Sequence, residues 1–145
     1  MLASGPSDDL RSALEHAFRQ VALPGLASAY LFGSHARGAP HRESDVDVGV
    51  VLRRDVYPDA RIRFEVRLRL AGELGARVAP RTVDLVVLDD VPPLLGRHVI
   101  TEGVRIYCAD PASDHAFVRD VQLRAADLAP FLRRTARVKL AAIRR

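Results

Sequence analysis

The sequence predicts a small α/β (α+β) fold, a mixed sheet of about four strands flanked by helices, with a C-terminal helical extension. Three observations carry this expectation. Short valine- and leucine-rich runs stand where strands are expected. Segments with apolar residues at steps of three and four separate them. Glycine and proline mark the junctions. The 145 residues are 48% apolar, enough for one compact core without staples.

The elements follow in order. Ser7 to Leu23 reads as a helix, with Ser7 as cap, Asp8 and Asp9 at its positive end, and a stripe of Leu10, Leu14, Phe18 and Val21. Pro24-Gly25 ends it. Ala27 to Phe32 is a first strand, running into Gly33-Ser34, and Asp45 to Leu52 is a second. Pro58 opens a second helix whose stripe is Ile62, Val66, Leu70 and Leu74, with Arg61, Arg63, Arg67 and Arg69 as a solvated face. Thr82 to Leu88 is a third strand. Pro92-Pro93 starts a short helix through Thr101 that Gly103 stops, and Val104 to Cys108 is the fourth strand. Asp110-Pro111 opens a last helix with Val121, Ala125, Leu128 and Leu132 in phase, which Pro130 should kink or split.

Composition narrows the function. One cysteine, Cys108, excludes both an intrachain disulfide framework and a cysteine metal cluster, and suits a reducing cytoplasm. No apolar run approaches the roughly 20 residues of a membrane helix, and the first ten residues lack signal-peptide character, so a cytoplasmic protein without membrane contact is expected. The net charge of +4 is uneven. Arg119 to Arg145 holds eight Arg/Lys against two Asp, whereas the rest holds 14 against 16. The basic tail suits an acidic partner or plain solvent. Nucleic acid is not expected as a direct ligand, because no aromatic interleaving or binding motif accompanies the charge.

The chemistry resides in Gly33-Ser34, Asp45, Asp47 and Asp84. Asp45 and Asp47 stand two apart in a valine-rich strand, which puts both carboxylates on one face. Their mutual repulsion calls for a hard cation, Mg²⁺ or Mn²⁺. Asp84 lies in the apolar third strand and joins the same face if the two strands are neighbours. Three carboxylates of this kind suit the two-metal clamp of phosphoryl transfer. Gly33 at a strand end permits close backbone approach to a ligand, Ser34 adds a hydroxyl and an N–H, and Arg37 offers a fork of donors to phosphates. A helix starting near Gly33 would add its free N–H groups. His35 and His41 read as loop or surface residues, Tyr107 as core, and Cys108 as a small buried hydrophobe.

Gly33-Ser34, ten intervening residues and Asp45-Val46-Asp47 resemble the signature of the DNA polymerase β-like nucleotidyltransferase superfamily. Gly33 to Gly38 (Gly-Ser-His-Ala-Arg-Gly), with Ser44 to Asp47, is similar to minimal nucleotidyltransferases of the MNT type, antitoxins paired with a HEPN-domain toxin. The likeness covers Ala27 to Cys108. It implies residues 1–109 as a nucleotidyltransferase domain, with 110–145 as a helical extension packed on it. It also implies AMP transfer from ATP to a tyrosine hydroxyl of the partner toxin. Asp45, Asp47 and Asp84 would be catalytic metal ligands, and Gly33, Ser34 and Arg37 would bind the nucleotide. Gly49 departs from the larger apolar residue common after the second aspartate. A small-molecule acceptor such as an aminoglycoside, or neutralisation of the partner by contact alone, stays open. The 37 residues after Cys108 are few for a separate acceptor domain, which favours a protein acceptor.

Overall fold

The computed structural model of the chain describes residues 6–36 and 45–143. Its elements are α1 (Pro6–Val21), β1 (Leu26–Phe32), β2 (Val46–Leu52), α2 (Ala60–Val78), β3 (Val83–Val87), α3 (Pro93–Glu102), β4 (Val104–Cys108) and α4 (Pro111–Ile143). Single 3₁₀ turns, Gly33–His35 and Leu88–Asp90, follow β1 and β3. The expected element order and mixed sheet are both present.

The sheet order is β3-β2-β1-β4. β1 pairs antiparallel with β2 and β4, whereas β2 and β3 run parallel. Parallel neighbours need a crossover, and α2 supplies it. The period of two divides β2 cleanly. Val46, Val48 and Val50 enter one core with Leu14 and Phe18 of α1 and Leu70 and Leu74 of α2. The opposite face carries Asp47, Gly49 and Val51. There Tyr30, Val51 and Leu88 pack with Val99 and Phe117 from the α3 and α4 side. The carboxylates therefore lie on the face away from α1 and α2.

Gly49 has a packing reason. A Cβ there would stand 2.8 Å from Leu88 Cδ2 and 2.9 Å from its Cγ, so the glycine makes room for a buried leucine on the sheet.

Several helix starts and faces differ from the expectation. Ser7 lies within α1, the first element of the described residues, instead of capping it. α2 begins at Ala60 because Asp59 is the cap, accepting the Arg61 N–H at 2.9 Å; Pro58 stands just before the cap. Ile62 is 42% exposed and does not belong to the buried stripe, whereas Arg63 is 6% exposed. Arg63 is not part of a solvated face. Its guanidinium forks onto Asp90 at 2.8 and 2.9 Å and donates to the Tyr57 carbonyl at 2.9 Å. Arg67 likewise turns inward, donating to the Leu85 carbonyl of β3 at 2.7 Å. Arg61 and Arg69 remain exposed.

Asp110 caps α4 through the Ser113 N–H, as its position before Pro111 suggests. α4 is helical on both sides of Pro130, so the expected split does not occur. Asp114, 1% exposed, fastens α4 to the sheet. One oxygen accepts the hydroxyls of Ser28 and Tyr30, each at 2.6 Å, and the other accepts Arg105 at 2.9 Å. Burial alone would raise the Asp114 pKa, but these bonds hold it lowered. The Tyr30 phenol is pushed up by burial and by Asp114, so it stays a donor. Tyr107 stacks on Phe18 with ring centroids 5.6 Å apart, consistent with its expected core role; Cys108 is only half-buried.

Candidate active site

The site forms where β1 ends and β2 begins. The β1–β2 register sets Phe32 opposite Asp47, which brings Gly33 directly over that carboxylate. Gly33 has φ +74°, and a Cβ on it would lie 2.2 Å from Asp47 Oδ2. Two independent restrictions thus demand glycine: a left-handed backbone and a carboxylate oxygen in the only place a side chain could go. Ser34 follows in the tight turn. Within the described residues the turn is a single 3₁₀ turn and not the longer helix that would add a dipole.

The parallel β2–β3 register pairs Asp47 with Asp84. In-register neighbours in a sheet project to the same face, so the two carboxylates stand side by side. Asp45 precedes β2 and is exposed. Its carboxylate accepts the Thr82 hydroxyl, while Val46 N–H bonds the Thr82 carbonyl at 2.8 Å, which ties the start of β2 to that of β3. Asp84 is exposed, since β3 is an edge strand. The expectation of a carboxylate enclosed by apolar neighbours is corrected here: Val83, Leu85 and Val87 turn to the other face or edge and leave Asp84 open to solvent.

The electrostatics centre on Asp47. Its pKa is raised by burial first, then by the charges of Asp84 and Asp45, and is drawn back by His35. His35 is 6% exposed and sits in the same turn. It is therefore a buried neighbour of the site and not a surface residue. Arg37 and His41 lie outside the described residues.

These donors fit a hard divalent ion. They are carboxylate oxygens, and they hold more negative charge than their surroundings neutralise, as the raised Asp47 shows. Among the described residues no group of three or more His, Cys, Asp or Glu is arranged to hold a metal by itself. The three-carboxylate set expected from the sequence is therefore not gathered into one cage here; the register brings Asp47 and Asp84 together, while Asp45 stands at the start of β2.

A four-stranded mixed sheet with paired aspartates beneath a Gly-Ser turn defines a nucleotidyltransferase. Residues 16–112 match the family model Polymerase beta, Nucleotidyltransferase, and the chain belongs to that family. The protein adenylyltransferase MntA of Shewanella oneidensis is 36% identical over 85 residues, which make up 59% of this chain and 56% of that protein. The matched stretch thus spans little more than half of the relative. A crystal structure of a toxin-antitoxin with AMP-PNP superimposes with a TM-score of 0.64 at 24% identity, covering 93% of this chain and 98% of that one. The tri-AMPylated Shewanella oneidensis HEPN toxin in complex with MNT antitoxin gives 0.60 at 20% identity, covering 96% and 99%. At these identities the structures show the shared polymerase β-like fold.

Gly33→Ala tests the turn. The added methyl meets both the strained backbone and the Asp47 carboxylate, so nucleotidyl transfer is expected to fall on the order of 10²-fold or more, the usual cost of displacing a catalytic group. An assay of AMP transfer beside a circular dichroism spectrum separates this loss from unfolding.

Proposed function

We propose that this chain transfers AMP from ATP to a tyrosine hydroxyl of a HEPN-type partner toxin and so neutralises it. The observation that carries the chemistry is the Asp47–Asp84 pair in parallel register beneath Gly33. The 36% likeness to a protein adenylyltransferase supports AMP as the group transferred and a protein as the acceptor. The same fold in a complex with an AMPylated HEPN toxin supports the partner. No helix of the described residues is long and apolar enough to cross a membrane, and we place the reaction in the cytoplasm.

In this scheme residues 1–109 perform the chemistry and 110–145 form an extension that meets the partner. Gly33, Ser34 and Arg37 receive the triphosphate. Asp45, Asp47 and Asp84 would hold Mg²⁺ or Mn²⁺, which supplies charge neutralisation at the transferred phosphoryl group. The acceptor phenol oxygen attacks the α-phosphorus in line. A new oxygen–phosphorus bond forms, the bond to the bridging α–β oxygen breaks, and pyrophosphate departs. Asp84, the exposed carboxylate of the pair, would take the phenol proton. Asp47, half-buried beneath Gly33, would fix geometry. Positioning and charge carry most of the rate, as phosphoryl transfer needs little covalent help from protein.

The deciding experiment incubates the protein with Mg²⁺, α-labelled ATP and the product of the adjacent gene, followed by mass spectrometry. AMP on a partner tyrosine is the expected result; label only on a small molecule, or none, overturns it.

The extension gives a further expectation. α4 packs on the body through Asp114, Val121 and Ala125, and Leu128, in phase with them, is already 39% exposed. Deleting residues after Pro130 is expected to weaken the partner complex by about tenfold or more, the scale of one lost apolar anchor, and to leave ATP binding unchanged. Calorimetry with each ligand separates the two.

A further inference from the structure

The starts of β2 and β3 carry a small array of polar side chains. The parallel register pairs Val46 with Val83 and Asp47 with Asp84, so one step back sets Asp45 opposite Thr82. By the period of two, Asp45 lines up with Asp47 along one strand and Thr82 with Asp84 along the other. Three of these four side chains are carboxylates, which when ionised only accept hydrogen bonds. Thr82 is the one donor of the four, and it gives its hydroxyl to Asp45 Oδ1.

Asp45 needs such a partner. It precedes β2, is exposed, and stands apart from the Asp47–Asp84 pair. A solvated aspartate samples several rotamers, and each sends its oxygens in a different direction. A hydrogen bond to one oxygen narrows that freedom and leaves the second oxygen for an ion. Thr82 is a stiff donor. Its branched Cβ restricts χ1, and its own carbonyl is held by the Val46 N–H at 2.8 Å. The charge of Asp45 already reaches Asp47.

We propose that Thr82 is a positioning residue for metal binding: its hydroxyl orients Asp45 so that the second carboxylate oxygen can complete the ligand set of a divalent cation with Asp47, Asp84 and the nucleotide phosphates. This role rests on the reading of Asp45 as a metal ligand. The hydroxyl is not what joins the strands. That tie is the backbone bond from the Val46 N–H to the Thr82 carbonyl, which any residue at position 82 keeps. A hydroxyl on an exposed side chain adds little to the fold.

Thr82→Val removes the hydroxyl and keeps the branched shape, whereas Thr82→Ser keeps the hydroxyl. Mn²⁺ is titrated into the full chain at a fixed concentration of AMP-PNP, and the rise in melting temperature is followed. Thr82→Val is expected to need about tenfold more Mn²⁺ for half of the full rise, the usual cost of losing a group that orients a metal ligand. Thr82→Ser is expected to respond nearly as the wild type does. Without ligand, both variants should melt within about two degrees of the wild type. AMP transfer to the product of the adjacent gene should recover in Thr82→Val as Mg²⁺ is raised. A normal Mn²⁺ response in Thr82→Val, beside a weakened one in Asp45→Asn, overturns the role of Thr82 alone. Equal losses in Thr82→Val and Thr82→Ser do the same, because the hydroxyl is then not the cause, and so does a loss matched by a fall in the unliganded melting temperature. If Asp45→Asn responds to Mn²⁺ as the wild type does, the ligand reading itself falls, and the role of Thr82 with it.

Discussion

Asp47→Asn is expected to lose nucleotidyl transfer by on the order of 10²- to 10³-fold or more while raising the melting temperature of the unliganded protein. The two effects share one cause. Burial and the neighbouring charges of Asp84 and Asp45 raise the Asp47 pKa, so the folded chain binds this proton more tightly than the unfolded chain does. Folding is therefore favoured as pH falls into the carboxylate range, and that advantage disappears as pH rises through the raised pKa. At neutral pH the ionised Asp47 is a net burden on the fold. Asparagine keeps the shape and removes the charge. Thermal scans at neutral pH should show the variant melting a few degrees higher. Added Mg²⁺ and ATP should stabilise the wild type and do much less for the variant if the charged set is what binds them. A variant that melts below the wild type without ligand would show that the carboxylate serves the fold, and the assignment of strain to function would fail.

The second large effect runs in the opposite pH direction. Asp114→Ala strands the hydroxyls of Ser28 and Tyr30, which are 0% and 5% exposed, and removes the partner of Arg105. A buried donor left unpaired costs about 1–3 kcal/mol, so a total loss of about 2–4 kcal/mol is expected, discounted because Arg105 is partly in solvent. Urea titration should show a lower midpoint at an unchanged slope. The Asp114 pKa is lowered, so its contribution is complete above the unfolded carboxylate pKa and is lost as pH falls through the folded value. Wild-type stability should therefore decline more steeply on acidification than that of the variant. Asp114→Asn, which keeps an acceptor but no charge, should fall between them.

Periodicity and punctuation made most of this fold legible. β4 has the bounds that its valine–cysteine run suggests, and the other strands differ by a residue or so at their ends. Asp45, Asp47, Asp84 and Gly33 stood out for a local reason: their residue types conflict with the strand or turn around them. Asp84 was visible, although the argument for it was incomplete. Its neighbours are apolar, but an edge strand leaves it exposed, and the sequence of one strand does not say whether it lies at an edge. Arg63 and Asp114 were not legible. Each is a charged residue in a helix. Each is buried only because of partners far along the chain, Asp90 for Arg63 and Ser28 and Tyr30 for Asp114. Helical spacing records which side of a helix a residue occupies and is blind to what a distant segment brings there. His35 escaped for a related reason, since nothing local tells a buried loop histidine from an exposed one.

The strand order has a consequence for how the site fluctuates. Asp47 belongs to β2, which is hydrogen-bonded on both sides, and Asp84 to β3, which is hydrogen-bonded to β2 alone. Local opening is easiest where a strand has a single partner. The active centre thus joins a carboxylate on a slowly opening element to one on a quickly opening element. The half-buried carboxylate is thus held on both sides, and the exposed one on one side only.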